Sequence, residues 1–234
     1  MGSTIQWREP PGDRPNKTTG EMVEFGNRRD AGRGYMARSE RVGPGVLLLH
    51  EFFGLQDSFK DLADRLNAEG FTVLVPDLYE GRIASSADEA QSLAQSLDVE
   101  STLRMLGAAA DLLTDNWHPR LGVVGFSLGA GFAVELASRQ SIEALVLYYG
   151  LGDFAGSGWT GPTLGHFAEK DEWEDLDEAR SAFEALRAAG ADAEMHVYPG
   201  TGHWFANRAV ADSYAAAAEA AFGATCDFFH HHLA

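Results

Sequence analysis

The chain contains one short motif that can present a nucleophile, the run Gly125-Phe126-Ser127-Leu128-Gly129, which matches Gly-x-Ser-x-Gly. Where this motif is catalytic, a sharp turn between a strand and a helix exposes the serine hydroxyl, and the strained turn requires small neighbours. Glycine stands on both sides of the turn here. Glycine-rich strand-to-helix turns also occur where the serine only caps the helix, so the motif needs catalytic partners before it indicates an enzyme.

A serine nucleophile needs a histidine base, because its hydroxyl is hardly ionised at neutral pH. His203 is the favoured candidate, since it lies in a turn-rich loop between the last predicted strand and the last predicted helix. His196 is the alternative, but alternation along the preceding strand predicts that its side chain lies on a packed or solvated sheet face. We therefore predict that His203 is the base.

The base needs a carboxylate that orients it, and Asp171 is favoured because it is the first acidic residue of a run that follows a predicted strand. That run has six acidic residues in eight, and we expect most of them in the solvated first turn of a helix. Glu169 and Glu172 remain alternatives. The resulting chain order, Ser127 then Asp171 then His203, is the order found in α/β-hydrolases.

The segment His50-Glu51-Phe52-Phe53-Gly54 ends the first buried strand, where a backbone N–H can complete an oxyanion hole with the N–H of Leu128. The segment is not a zinc-binding His-Glu-x-x-His helix, because Gly54 occupies the position of the second histidine. Histidines 230–232 are interpreted as a helix end, where cations suit the helix dipole. We predict no metal and no cofactor, and we expect the single cysteine, Cys226, in the core.

The elements that position these residues follow from the apolar pattern. Short apolar runs alternate with segments of helical period from residue 45 onward, which specifies an α/β fold with a mainly parallel central sheet and helices on both faces. The predicted strands cover residues 22–25, 34–37, 46–49, 71–75, 121–126, 142–149, 163–168 and 193–197. The predicted helices cover about 58–69, 99–113, 130–137, 176–189 and 209–229.

The charge balance excludes one class of partner. The chain of 234 residues has 18 Lys and Arg against 35 Asp and Glu, a net charge of −17, whereas nucleic acids and anionic membranes attract clustered cations. The sequence shows no apolar leader and no transmembrane run, so we expect a cytoplasmic protein. We expect residues 1–20 to be a flexible lead-in and residues 21–234 to form one domain; the oligomeric state stays open, and a monomer is compatible with the sequence.

From about Glu21 to Leu233 the chain resembles the dienelactone hydrolase family of α/β-hydrolases. The blocks that carry the resemblance are 49–55, 75–79 and 203–208. The resemblance implies an α/β-hydrolase fold in which Ser127, Asp171 and His203 form the catalytic triad. It further implies an auxiliary carboxylate at Glu51 and oxyanion donors at the backbone N–H groups of Phe52 and Leu128.

One departure from the family concerns the nucleophile. The best-known dienelactone hydrolases carry a cysteine as the nucleophile in the turn between strand and helix, where this chain has Ser127. A modest pKa shift can make a cysteine anionic but not a serine, so Ser127 has to lose its proton to His203 during attack. The candidates for substrate contact are Tyr79, Arg82, Trp204 and Arg208, of which Arg82 stands one position away from the family's carboxylate-binding arginine.

These residues predict a serine hydrolase that needs no cofactor and cleaves a small carboxylic ester or lactone through an acyl-enzyme on Ser127. One alternative is a non-catalytic protein of the same fold that binds a ligand or regulates a partner. Another alternative is a thioesterase or peptidase that uses the same triad.

Overall fold

The structure is a computed structural model that describes residues 19–38, 43–116, 119–207 and 214–234. These ranges contain one eight-stranded sheet, ordered β1-β2-β4-β3-β5-β6-β7-β8. Strand β2 is antiparallel to both of its neighbours, and every other neighbouring pair is parallel. The strands are β1 (Glu21–Phe25), β2 (Gly32–Ala37), β3 (Gly45–Leu49), β4 (Thr72–Pro76), β5 (Leu121–Phe126), β6 (Ala144–Tyr148), β7 (Thr163–Ala168) and β8 (Ala193–Tyr198).

Helices cover both faces of the sheet, which confirms the predicted architecture. They are α1 (Asp57–Ala68), α2 (Ala87–Gln95), α3 (Val99–Asn116), α4 (Leu128–Ala137), α5 (Phe154–Ser157), α6 (Leu176–Ala188) and α7 (Ala215–Leu233). Successive side chains of a strand point to opposite faces. Accordingly, Leu47 and Leu49 of β3 join the apolar cluster that contains α3 and α4, whereas Val46 and Leu48 join the cluster that contains α1 and α7.

Two helices were not predicted from the sequence. Helix α2 buries only Ala90 and Leu93, so its apolar stripe is too short to produce a clear period; it begins instead with a polar cap, in which the N–H of Glu89 donates to Ser86 Oγ at 3.2 Å. Helix α5 has four residues. Helices of this kind are specified by capping and tertiary contacts rather than by periodicity.

Three further expectations concern the two ends of the chain, Cys226 and membrane-spanning helices. Helix α7 begins at Ala215 in the described residues, and most of the expected start at residues 209–214 lies outside them, as do residues 1–18 of the expected lead-in. Cys226 is buried in the core, as predicted. None of the helices in the described ranges is long and apolar enough to cross a membrane.

The parallel strands bring the predicted site residues to one edge of the sheet. Strand β3 is in register with β5, with Leu49 opposite Gly125, so residues 50–54 and Ser127 emerge side by side. Residues after β7 and β8 emerge beyond β6 at the same edge. This carboxyl edge is where open α/β sheets place their ligand sites.

Candidate active site

Ser127 occupies a strained turn between β5 and α4. Its backbone angles are φ 48° and ψ −113°, a region that residues with a Cβ rarely adopt, and its N–H donates to the carbonyl of Tyr148 at 2.9 Å. A side chain at Gly125 would collide with the carbonyl of Gly129, and one at Gly129 would collide with the carbonyl of Leu49. The two glycines of the motif are therefore required by close backbone packing around the serine.

The serine hydroxyl lies in a continuous hydrogen-bond chain with a histidine and an aspartate. Ser127 Oγ is 2.9 Å from His203 Nε2, and His203 Nδ1 is 2.9 Å from each carboxylate oxygen of Asp171. Because a carboxylate only accepts, Nδ1 carries the proton and Nε2 accepts the Ser127 hydroxyl. The side chains of His203 and Asp171 are 4% and 3% exposed, so the hydrogen bond between them is shielded from water.

The alternatives left open by the sequence lie elsewhere. The carboxylate of Glu169 accepts the N–H of Gly200 at 2.8 Å, and Glu172 is exposed. His196 Nε2 lies 2.6 Å from Glu194 Oε1, in a groove between β8 and α7. The structure therefore places Asp171 and His203 in a hydrogen-bond chain with Ser127. Glu169, Glu172 and His196 lie outside that hydrogen-bond chain.

Asp171 is held by its own loop. Its Oδ1 accepts the backbone N–H groups of Trp173 at 2.9 Å and Glu174 at 3.1 Å, which compensates the negative charge and fixes the carboxylate. Burial raises the pKa of the nearby Glu174 to about 7; the charge of His203 opposes this rise, and the charge of Asp171 adds to it. A second carboxyl that changes its charge near neutral pH thus lies beside the pair.

Glu51 is a buried carboxylate with two uncharged partners. Its Oε2 accepts the hydroxyl of Tyr149 at 2.9 Å, and its Oε1 accepts the amide of Asn207 at 2.7 Å. Burial raises the pKa of Glu51, while the bonds from Asn207 and Tyr149 oppose the rise. Glu51 thereby connects the loop after β3 with Tyr149, which follows β6, and with Asn207, which lies in the loop that contains His203.

Sequence reasoning missed Tyr149 and Asn207. Tyr149 follows the end of β6, has φ 36° and packs its ring 4.9 Å from that of His203. Its place at the carboxyl end of a strand was the signal available in the sequence. Asn207 lies four residues after His203, within the block 203–208 that resembles the family. No pattern in the neighbouring sequence indicates its contact with Glu51.

The two residues predicted to supply the oxyanion donors, Phe52 and Leu128, lie in the loop after β3 and at the start of α4. Leu128 is the first residue of α4, where the N–H has no acceptor within its own helix. Phe52 lies in the turn after β3, and Gly129, two residues after Ser127, packs closely against the carbonyls of Leu49 and His50 at the start of that turn.

The four residues predicted to contact a substrate do not lie together at one site. Tyr79 is fully buried and its hydroxyl donates to the carbonyl of Phe52 at 3.1 Å, so this side chain serves the protein interior, contrary to the expectation. Arg82 is exposed; its Nε donates to the carbonyl of Tyr79 at 3.0 Å, and it lines a cavity of about 740 Å³ that contains none of the triad candidates. Trp204 lies beside His203, and Arg208 is outside the described residues.

The rings of two tryptophans, Trp204 and Trp173, pack near the ring of His203. The ring of Trp204 meets that of His203 edge-on at 5.1 Å, and Trp173 lies 5.7 Å from Trp204 and 6.4 Å from Phe52. Trp173 is 54% exposed, which makes it the outermost member. We call Phe52, Trp173 and Trp204 the aromatic rim; Trp173 was missed from the sequence because the acidic run around it predicted a solvated turn.

The histidines at the end of α7 contact aromatic and acidic side chains. His230 stacks on Phe71 with ring centroids 4.8 Å apart, and His232 Nε2 is 3.7 Å from Asp192 Oδ2. Across the part of the chain that the structure describes, no group of three His, Cys, Asp or Glu side chains can hold a metal ion. The histidines instead end the helix, as interpreted from the sequence.

Comparison with known proteins finds relatives that match most of the chain. Residues 33–233 match the model of the dienelactone hydrolase family. Protein usf of Aquifex pyrophilus is 31% identical over 229 residues, which cover 92% of this chain and 99% of that protein. Carboxymethylenebutenolidase 1 of Cupriavidus pinatubonensis is 28% identical over 178 residues, which cover 70% of this chain and 75% of that protein.

A solved structure supports the same fold. The crystal structure of dienelactone hydrolase from Anabaena variabilis aligns with a TM-score of 0.71 at 21% identity, and the alignment covers 94% of this chain and 100% of that chain. Likeness at this identity concerns the fold. It confirms the α/β-hydrolase fold that the sequence predicted.

Proposed function

The chain belongs to the dienelactone hydrolase family and is a carboxylic ester hydrolase, and we propose that it cleaves a small ester or lactone through an acyl-enzyme on Ser127. The observation that carries this proposal is the hydrogen-bond chain from Ser127 Oγ through His203 to Asp171, with both heavy-atom separations at 2.9 Å. That chain has the order and the bonding of a serine hydrolase triad.

The first half of the reaction forms the acyl-enzyme. Ser127 Oγ bonds to the carbonyl carbon of the substrate while its proton passes to His203 Nε2, and the carbonyl electron pair moves to the oxygen. The N–H groups of Phe52 and Leu128 stabilise this oxyanion. When the intermediate collapses, the bond to the alcohol oxygen breaks, and Nε2 returns the proton to that oxygen.

The second half releases the acid. Water gives a proton to His203 Nε2 as its oxygen bonds to the acyl carbon, and a second oxyanion forms at the same donors. Collapse breaks the bond to Ser127 Oγ, which takes the proton back, and the carboxylic acid leaves. Asp171 keeps the proton of the neutral imidazole on Nδ1 and stabilises the charged imidazole between the steps.

Three observations favour a neutral ester as the substrate. The rim beside His203 consists of aromatic rings, which bind apolar groups, and Arg82 is hydrogen-bonded to the Tyr79 carbonyl and lines a cavity that contains none of the triad candidates. The net charge of −17 also opposes the approach of anions to the protein. We therefore expect a higher kcat/KM for a neutral phenyl ester than for a matched ester that carries a free carboxylate; the reverse preference would reject this substrate class.

The direct test of the proposed function replaces the nucleophile. Ser127→Ala should lower kcat for a short-chain p-nitrophenyl ester by about 10⁴-fold or more, because removal of a triad nucleophile costs orders of magnitude. Ser138→Ala is the matched control, since Ser138 caps the other end of α4 and is exposed. A Ser127→Ala variant with wild-type turnover would reject the mechanism, and a wild-type protein that binds esters without hydrolysing them would indicate a binding protein.

A further inference from the structure

The loop after β3, residues 50–54, has its carbonyl groups fixed by hydrogen bonds. The carbonyl of Glu51 lies 2.8 Å from His50 Nδ1 and 3.2 Å from the N–H of Gly54. The carbonyl of Phe52 accepts the hydroxyl of Tyr79 at 3.1 Å, and the carbonyl of Phe53 accepts the N–H of Ala84 at 3.0 Å. Three consecutive peptide groups of this loop are therefore oriented by bonds on their oxygen side.

His50 and Tyr79 supply the two side-chain bonds, and both are completely buried. The backbone N–H of Leu78 donates to His50 Nε2 at 3.1 Å, so Nε2 is the acceptor and Nδ1 carries the proton that is donated to Glu51. Burial lowers the pKa of His50 to about 4, which keeps the ring in this neutral form at physiological pH. The rings of His50 and Tyr79 also pack edge-on at 5.4 Å, so each restricts the other.

These bonds determine where the N–H of Phe52 points. In a trans peptide the C=O of one residue and the N–H of the next point in opposite directions. Since the Glu51 carbonyl is bonded to His50 inside the protein, the Phe52 N–H is directed away from His50. Rotation of this peptide by half a turn would break the His50 and Gly54 bonds and would put a carbonyl oxygen where the proposed mechanism needs a donor.

We propose that Tyr79 and His50 are positioning residues that hold the Phe52 N–H ready as an oxyanion donor before the substrate arrives. This inference rests on the proposed function and deepens it. Tyr79 fixes the peptide on one side of the Phe52 Cα, and His50 fixes the peptide on the other side. Donors that are already in place stabilise the charge that develops in the transition state, and they contribute little to binding of the uncharged ester.

The test removes one hydroxyl. Tyr79→Phe keeps the ring and deletes the bond to the Phe52 carbonyl; we expect kcat to fall about tenfold with KM within twofold of wild type, less than the loss of a whole oxyanion donor. Tyr35→Phe is the matched control, because Tyr35 of β2 is also buried and its hydroxyl is hydrogen-bonded to Asp64 of α1 at 2.8 Å and to the N–H of Gly20, neither of which belongs to the loop after β3. Both variants should lower the melting temperature by similar amounts, and only Tyr79→Phe should lower kcat.

A second readout separates positioning from general loosening. A trifluoromethyl ketone adds to Ser127 and forms an oxyanion, so its affinity should fall by the same factor as kcat in Tyr79→Phe. The affinity of the corresponding alcohol, which has no oxyanion, should not change. Equal weakening of both inhibitors, or a kcat within twofold of wild type, would overturn the inference.

His50 offers an independent variant in case Tyr79→Phe does not fold. Asparagine at position 50 can place an N–H where His50 Nδ1 is, whereas leucine cannot, so His50→Asn should keep a higher kcat than His50→Leu at equal KM. Equal kcat values for the two would overturn the role of His50. A wild-type protein that neither hydrolyses esters nor binds the ketone would reject the proposed function itself, whereas an active wild type insensitive to these variants would reject only the positioning role.

Discussion

Two histidine–carboxylate pairs of the described residues lie within hydrogen-bond distance: Asp171 and His203 follow strands β7 and β8, whereas Glu194 and His196 lie within β8, and of these two pairs the first is hydrogen-bonded to Ser127. His203 Nδ1 and Asp171 Oδ1 are 2.9 Å apart, and His196 Nε2 and Glu194 Oε1 are 2.6 Å apart, so both pairs are within hydrogen-bond distance. The first pair is 4% and 3% exposed, and the second is 35% and 64% exposed. The separation of the two atoms therefore does not distinguish the pair proposed to be catalytic from the exposed pair.

Burial and the third partner make the difference. The second nitrogen of His203 is 2.9 Å from Ser127 Oγ, and Asp171 is further fixed by two backbone N–H groups of its loop. Hydrogen bonds that are shielded from water are stronger and hold one geometry. Glu194 is largely solvated, and exposed pairs of this kind contribute little. The comparison indicates that the strained serine turn and its buried surroundings, rather than the pair alone, create the site.

Replacement of the two histidines should break this comparison most clearly. His203→Ala removes the base of the proposed reaction, so kcat for a p-nitrophenyl ester should fall by roughly 10⁵-fold. His196→Ala is the control and should stay within about twofold of wild type, because His196 lies outside the hydrogen-bond chain of Ser127. Steady-state kinetics on both purified variants make the measurement, and similar losses in the two would show that the pairs are not functionally different.

The carboxylates should show the same contrast with a smaller effect. Asp171→Asn keeps the shape of the side chain but no longer favours the proton on Nδ1 of His203, and kcat should fall about 10⁴-fold. Glu194→Gln, the matched isosteric change in the exposed pair, should leave kcat unchanged. If Asp171→Asn retained wild-type kcat, one of the neighbouring carboxylates would have to orient His203.

The burial of His50 at the carboxyl edge of the sheet should also change how the free energy of unfolding depends on pH. The folded protein protonates His50 only near pH 4, whereas the unfolded chain protonates it near pH 6.5. The unfolded state therefore holds more protons between these values, and stability falls as the pH is lowered through that interval. His50→Asn removes this contribution, so wild type should lose about 3 kcal/mol more than the variant between pH 6.5 and pH 4. Urea unfolding at several pH values measures both slopes, and equal slopes would contradict a buried neutral His50.

The parts of the molecule that follow from local pattern were predictable from the sequence. The central strands β3, β4, β5 and β6 are short, fully buried and mainly apolar runs, and the Ser127 turn is specified by two glycines that close backbone contacts require. His203 was separated from His196 because one follows a strand and the other lies within it. These inferences depend on period and on neighbouring residues, which a single sequence displays.

The rest depends on side-chain direction and on contacts between distant residues. Glu51 is bonded to Tyr149 and to Asn207, 98 and 156 residues away along the chain, and no local pattern carries such contacts. Tyr79 was expected to face a substrate, but it points inward to the Phe52 carbonyl. Glu169 lies two residues before Asp171 and was equally acidic in the sequence; only the loop geometry directs it to Gly200 instead.

The most direct test of the central claim is the mass of the protein after reaction with a fluorophosphonate. Phosphonylation needs a serine whose proton a neighbouring base removes, so we expect one adduct per chain, located on the peptide that contains Ser127. His203→Ala should lose the adduct, and His196→Ala should keep it at the wild-type rate. Absence of the adduct in wild type, or its location on another serine, would contradict the account.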